Sequence, residues 1–377
     1  MSFTTRGVAP LIALLLLSLK LGPAVPGSPP VAVEYKPSIT KHLSRGVNLN
    51  GWFNEAGGAS RFGANDLLNI QRWGFTFVRL PVDPEILDST MVARLAIALD
   101  DVTTSGLAAI VDFHPSNATK QAALSDSSKM DWYLTRLRVG CALLKDRATD
   151  RFALELMNEP ADPYRGQRPW DWDVVQHRLW DTARRCLPFH TLVLTGDVWS
   201  SLTGLLRLTP LPDSNVIYSV HFYQPYAFTH QGLVPEGPLR RIALPPMPYP
   251  ADSSLIAKSV SQLNAGTFEP RIRDSLEGAF NAYREGQWNR SKLAPSFAQI
   301  ALWSKNNHRV PLLDEFGVYR RLADSAARCR WLQDVRELAE ADRIGWAMWE
   351  YKGGFGLFGD DGQPIYCVRE ALGLTSK

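Results

Sequence analysis

"RFALELMNEP", residues 151–160, decides how this chain folds. Phe152, Ala153, Leu154 and Leu156 give it the near-continuous apolar run of a strand covered on both faces. It then ends on Asn158, Glu159 and Pro160: an amide, a carboxylate and a residue that cannot donate to a sheet ladder. A buried strand that finishes in polar groups presents them at its C-terminal end, which is where parallel sheets carry their working residues. The stretch therefore predicts one strand of a parallel sheet that delivers Asn158 and Glu159 to a cleft.

Similar strand-like runs lie on both sides of it, at 43–49, 75–81, 107–115, 190–197, 215–223, 310–317 and 344–351. Helical spacing falls between them, at 61–74, 91–106, 130–146, 172–186, 294–305 and 324–341. Alternation of this kind predicts an α/β fold with a parallel sheet and right-handed crossovers. Eight repeats over 377 residues predict a single-domain (β/α)8 TIM barrel. An open doubly wound sheet is the alternative, and the lack of a GxGxxG turn after the first strand counts against it. The Pro-rich stretch from 224 to 292 lacks clear periodicity, so it is expected as a long irregular insertion after strand six, forming a lid or cleft wall.

The chain is 45% hydrophobic, enough for a sizeable core, and its net charge is only +3. With no Lys/Arg run, nucleic acid and anionic membranes are poor partners. Residues 1–27 read as a signal peptide: Arg6, an apolar run at 8–19, then "GPAVPG" with cleavage after Ala24 or Gly27. The mature protein is thus expected to be secreted or periplasmic and free of the membrane, with an N-terminal extension at 28–42 and the catalytic barrel at 43–377. Export permits disulfides. Cys141–Cys186 and Cys329–Cys367 are the expected pairs, with four free thiols as the alternative. "NAT" at 117 and "NRS" at 289 are glycosylation sequons, and no Cys/His spacing points to structural zinc.

Polar residues recur at the ends of the predicted strands: Arg79, Asp112, His114, Asn158 with Glu159, His221 with Tyr223, Asp314 with Glu315, and Trp349 with Glu350. Singly, each could be a salt-bridged or core residue. On one rim together, they suit acetal hydrolysis, in which one carboxyl group donates a proton and the other attacks the anomeric carbon. Arg79 and Tyr223 near Glu315 would keep it ionised, while less polar surroundings would hold Glu159 protonated. Asp112 is expected to be structural. Some of the twelve tryptophans are expected to line the cleft.

The ordered set "RGVNLNGW" (45–52), "FVRLP" (77–81), "MNEP" (157–160), "HFY" (221–223), "DEFG" (314–317) and "AMWEY" (347–351) resembles glycoside hydrolase family 5, the cellulase family. The resemblance implies Glu159 as acid/base and Glu315 as nucleophile of a retaining enzyme. Arg79 and Tyr223 would then support the nucleophile and His221 the acid/base. Asn158 would hold the sugar 2-hydroxyl, His114 would bind sugar, and Trp349 would lie under the ring at the cleavage point. Trp52 and Trp199, just past strand ends, are expected at neighbouring subsites. One departure is visible: "DFHP" places Pro115 where many members have a second histidine. The implied function is an endoglucanase acting on β-glucan, as a monomer without cofactor or metal. Mannan, β-1,3-glucan or xyloglucan are alternative substrates. A non-catalytic sugar-binding barrel is disfavoured because both carboxylates are intact. A metal hydrolase using His114 and His221 is disfavoured because no HxH pair accompanies them.

Overall fold

The structure, a computed structural model, describes residues 38–58, 61–161, 171–233, 245–266 and 269–374. The expected signal peptide at 1–27 and most of the extension at 28–42 lie outside the described residues. The chain divides into Met1–Tyr35, which is not described, and the unit Lys36–Lys377.

Eight strands run through that unit: β1 Arg45–Asn48, β2 Phe77–Val82, β3 Ala108–Phe113, β4 Phe152–Glu155, β5 Thr191–Thr195, β6 Val216–Phe222, β7 Val310–Phe316 and β8 Gly345–Met348. Each pairs in parallel with the next, and β8 returns to β1 to close the barrel. The (β/α)8 expectation is met. The six expected helices are present at Ala64–Arg72, Ser89–Thr104, Ser127–Leu144, Trp172–Cys186, Arg290–Asn307 and Ser325–Ala341. Four of them start at an acidic or amide cap: Asp88, Asp126, Asn289 and Asp324 each accept from backbone amides of the first turn. Such caps contribute about 1 kcal/mol each.

Two apolar clusters hold the barrel. One lies between the strands and the surrounding helices. The other fills the barrel floor, where Phe77, Ile110, Val193, Ile217 and Leu312 meet Ile39 and Leu43 from the N-terminal 3-10 helix Ser38–His42 and the residue after it. Gly46 is required there, because a Cβ on it would stand 2.3 Å from the Phe77 ring. The floor is packed with side chains, whereas a cleft opens at the C-terminal mouth.

Two expectations need correction. The insertion at 224–292 is not irregular throughout: it contains helices Tyr226–Thr229, Ser253–Ala265 and Pro270–Gly286. Ile256, Ser259 and Leu263 form the buried face of the middle one, a helical spacing that the proline-rich run before it obscured. The disulfide Cys329–Cys367 is present, joining helix Ser325–Ala341 to helix Tyr366–Ala371. Cys141 and Cys186, however, are free thiols. The Cys186 thiol donates instead to the Thr182 carbonyl of its own helix, at 3.1 Å.

Candidate active site

The polar mouth is organised around Arg79. It sits mid-strand in β2, fully buried. Its Nε and Nη2 donate to the two oxygens of Glu155 at 2.7 and 2.8 Å. Nη1 donates to Glu315 Oε1 at 2.6 Å and to Asn48 at 3.0 Å. Nη2 also reaches Asn158 at 2.9 Å and Asp112 at 3.0 Å, and Asp314 lies 3.5 Å from Nε. Burial alone would lower the pKa of this guanidinium, but Asp112, Glu155, Asp314 and Glu315 raise it well above its ordinary value. Glu155, which interrupts the apolar run of β4, is thus a buried partner of Arg79. Sequence reading gave it no role. A charged residue inside an otherwise apolar strand was the signal.

Glu159 and Glu315 face each other across this mouth. An oxygen of each, together with a ring nitrogen of His221, lie within 4.8 Å of one another. His221 Nδ1 is 2.9 Å from Glu159 Oε1 and 3.4 Å from Glu315 Oε2, while Nε2 lies 3.3 Å from Asp314. Tyr223 donates its hydroxyl to Glu315 Oε2 at 3.1 Å. Asn158, besides accepting from Arg79, is 3.2 Å from His114 Nε2, whose Nδ1 is held by Asp112 at 2.7 Å. Asp112 is therefore structural, as expected.

The electrostatics of the ligand-free site follow from these contacts. Burial favours a neutral Glu159, but the His221 hydrogen bond and the charges of His221, Lys120 and His114 outweigh it and hold its pKa below the usual value. Burial raises the Glu315 pKa, and the attraction of His221 and Arg79 does not fully offset it. Burial would also keep His221 neutral, yet Glu315, Asp314 and Glu159 raise its pKa well above that of a free imidazole. Among the described residues two donor sets could hold a metal ion, Glu155–His221–Asp314 and Glu159–His221–Glu315. Both share His221, and a metal ligand must be a neutral imidazole. The surrounding carboxylates favour the protonated ring, so a metal bound there would have to displace that proton.

A cleft of about 910 Å³ opens above the pair, with Glu159, Glu315, His114, Trp199, Tyr226 and Trp349 in its walls. Trp349 is stacked on His114 with ring centroids 5.8 Å apart and planes 17° from parallel. Trp199 is 47% exposed and offers its ring to the cleft. Trp52 does not. It is 3% exposed and packs against Phe53 and Phe62, with centroids 4.9 and 5.6 Å away, so the subsite expected there is replaced by a core contact. Tyr226, 61% exposed on the short helix after β6, is an aromatic wall residue that sequence reading missed inside the proline-rich insertion. If Trp199 stacks on a sugar away from the cleavage point, Trp199→Ala will raise KM for long oligosaccharides by about tenfold and leave the shortest substrates little changed. Equal loss at all chain lengths, read from kcat/KM across a chain-length series, would reduce Trp199 to a packing residue.

A closed parallel barrel with two carboxylates facing across its mouth defines a glycoside hydrolase architecture. The chain belongs to the cellulase family, glycosyl hydrolase family 5, which it matches over residues 36–354. It is 25% identical to Endoglucanase 3 of Fibrobacter succinogenes over 362 residues, covering 89% of this chain and 53% of that protein. Cellodextrinase A of Ruminococcus flavefaciens is 24% identical, with 51% of this chain and 62% of the relative covered. The chain thus spans between half and two thirds of the length of these two relatives. Endoglucanase C of Acetivibrio thermocellus is 23% identical over 85% of this chain and 94% of its own length. Among solved structures, Thermotoga maritima Cel5A in complex with cellobiose superposes with a TM-score of 0.68 at 22% identity, covering 89% of this chain and all of that one. The same enzyme in complex with mannotriose gives the same values. Among the described residues no helix is long and apolar enough to cross a membrane.

Proposed function

We propose that this protein hydrolyses β-linked glucan internally, by double displacement, with Glu159 as acid/base and Glu315 as nucleophile. The observation that carries the reading is the close approach of Glu159 and Glu315, each with a different set of partners. Carboxyl groups about 5–5.5 Å apart leave no room for a water between one of them and the sugar, so the nucleophile attacks directly. Glu315 has Arg79 and Tyr223 to orient it; Glu159 has His221.

In the first step Glu159 gives its proton to the glycosidic oxygen, the bond from that oxygen to the anomeric carbon breaks, and a Glu315 oxygen bonds to the carbon. In the second, Glu159 as carboxylate takes a proton from water, the resulting hydroxide attacks the same carbon, and the ester to Glu315 breaks. The ligand-free site favours the opposite placement of the proton, with Glu159 ionised and Glu315 the more readily protonated. Both placements hold the same number of protons. A bound sugar strips water from Glu159, and the positive charge that develops at the anomeric carbon in the transition state favours ionised Glu315; each effect places the proton on Glu159. His221 Nδ1, within reach of both groups, can relay it.

Asn158, held by Arg79 and His114, is suited to the sugar 2-hydroxyl, His114 to a neighbouring hydroxyl, and the Trp349 ring to the apolar face of the pyranose. The open cleft with aromatic walls fits a polymer lying across it, and the endoglucanase relatives favour glucan. Mannan is the second reading, because a structural neighbour binds mannotriose. All these residues come from one chain, so a monomer carries a complete site. An exported barrel domain agrees with the Cys329–Cys367 disulfide.

The test is proton NMR of the first product released from a β-1,4-glucan oligosaccharide, with the matching mannan oligosaccharide in parallel. Two displacements at one carbon retain configuration, so the β-anomer is expected before mutarotation. An initial α-anomer would end the roles given to Glu159 and Glu315, and faster cleavage of the mannan substrate would reassign the specificity.

A further inference from the structure

Lys120 is a cation at the edge of the site, only 3% exposed, and the reaction above gives it nothing to do. It lies on the helix Asn117–Ala123, which starts just after β3 and is capped by the Ser116 hydroxyl accepting from the Thr119 amide. Its Nζ donates to the main-chain carbonyl of Glu159 at 3.2 Å. The same ammonium stands 5.1 Å from the centroid of the Trp199 ring. A buried ammonium is costly unless it is compensated, and here one carbonyl and one π-face compensate it.

The two residues it joins are unusual in backbone. Glu159 has φ +43° and Trp199 has φ +52°, left-handed conformations that non-glycine residues adopt at a cost of about 1–3 kcal/mol. The segments that carry them are also tied to each other, by the Trp199 amide donating to the Pro160 carbonyl at 3.2 Å and by an isolated bridge between Ala161 and Val198. Lys120 completes this connection from below. It holds the main-chain carbonyl of Glu159 itself.

We propose that Lys120 is a positioning residue for Glu159, its ammonium clamped between the Glu159 carbonyl and the Trp199 ring so that the proton donor and the aromatic platform on the leaving-group side are held as one unit. The proposal rests on the reading of Glu159 as acid/base. Charge follows from position. The groups that act on Glu159 are Lys120 from this helix, His114 after β3, His221 from β6 and Glu315 from β7, with His230 from the helix end after β6 facing it more remotely. Those acting on Lys120 are Glu159, Glu315 and Asp112. The Lys120 charge favours ionised Glu159. Removing it raises the pKa of both carboxyl groups of the pair, and the alkaline limb of kcat/KM, which reports loss of the one proton that Glu159 and Glu315 share, then moves to higher pH.

The experiment compares pH profiles of kcat/KM for the wild type, Lys120→Met, Lys120→Arg and Glu159→Ala. Lys120→Met keeps the length of the side chain and removes its charge. It is expected to move the alkaline limb to higher pH and to lower kcat at the optimum by on the order of tenfold, since Glu159 is no longer held in register. Lys120→Arg keeps the charge and should leave the limb in place. Lys120→Gln, which keeps a donor without charge, gives the same reading as Lys120→Met should the methionine variant not fold. A folded neutral variant whose limb overlays that of wild type overturns the proposal whatever its rate, because a purely structural role changes rate and stability but not the limb. A limb displaced in Lys120→Arg overturns it as well. Glu159→Ala, assayed on an aryl glycoside with a good leaving group, separates the two levels. It should have no alkaline limb. If the limb persists there, the acid/base reading itself fails and takes the proposal with it.

Discussion

Glu315→Ala is expected to fold and to lose turnover by on the order of 10⁴-fold or more, since removal of a nucleophile elsewhere costs that much. The fold should tolerate the change because Arg79 keeps Asp112, Glu155 and Asp314 as partners. The space left by the carboxylate admits a small anion on the same face of the sugar. Azide with an activated aryl β-glycoside should therefore restore release of the aryl group and yield the α-glycosyl azide, the product of a single displacement. The aryl leaving group needs no proton, so Glu159 does not limit this rescue. Near wild-type hydrolysis by a pure Glu315→Ala preparation would transfer the nucleophile to another residue.

Arg79→Ala carries a double expectation, because under the proposed mechanism the residue orients Glu315 and it also holds the buried carboxylates together. Losing a preorganised charge-assisted contact to the nucleophile costs about 2–4 kcal/mol in the transition state, or roughly 30- to 1,000-fold in kcat. The same substitution leaves Asp112, Glu155, Asp314 and Glu315 without the guanidinium that they share. Stripping one partner from a buried ion cluster typically destabilises by about 3–5 kcal/mol. Arg79→Lys should recover part of the stability and little of the rate. A single ammonium cannot bond both oxygens of Glu155 while also reaching Glu315 and Asn158. Urea titration and steady-state kinetics on both variants measure the two effects separately. A lysine variant matching wild type in rate would leave Arg79 only the role of a structural cation.

Most of the barrel was legible in the sequence because each strand is a nearly unbroken apolar run, and the helices between them keep a clear apolar face. The site was legible for a related reason. Groups such as His221 and Glu315 break those runs at one consistent place, close to the strand ends. What the sequence hid has physical causes too. Glu155 lies three residues before Asn158, with Leu156 and Met157 between, too early to look like a rim group, and its contact with Arg79 from β2 explains it. Lys120 follows Pro115 and Ser116 on a helix too short to show periodicity. Trp52 sits at a strand end like Trp199, yet Phe53 and Phe62 fold over it, and no local signal separates a tryptophan that faces a cleft from one that faces neighbouring rings. Cys141 and Cys186 do come together as neighbouring thiols, but they remain unbonded, and the Cys186 thiol donates to the Thr182 carbonyl.

Closure of the barrel bears on how samples of this protein will age. With β8 bonded to β1, every strand in the ring has neighbours on both sides, and among the described residues the barrel offers no strand edge onto which another molecule can build. Aggregation then has to wait for molecules that have opened, so shelf life at a given temperature is governed by the rate of opening rather than by how natively folded molecules stick together. The joint between β1 and β8 is held by three residue pairs, as are those of β1 with β2, β4 with β5 and β7 with β8, against six between β2 and β3. Trp349 directly follows β8, so parting at that joint would disturb a wall of the cleft as it exposed an adhesive edge.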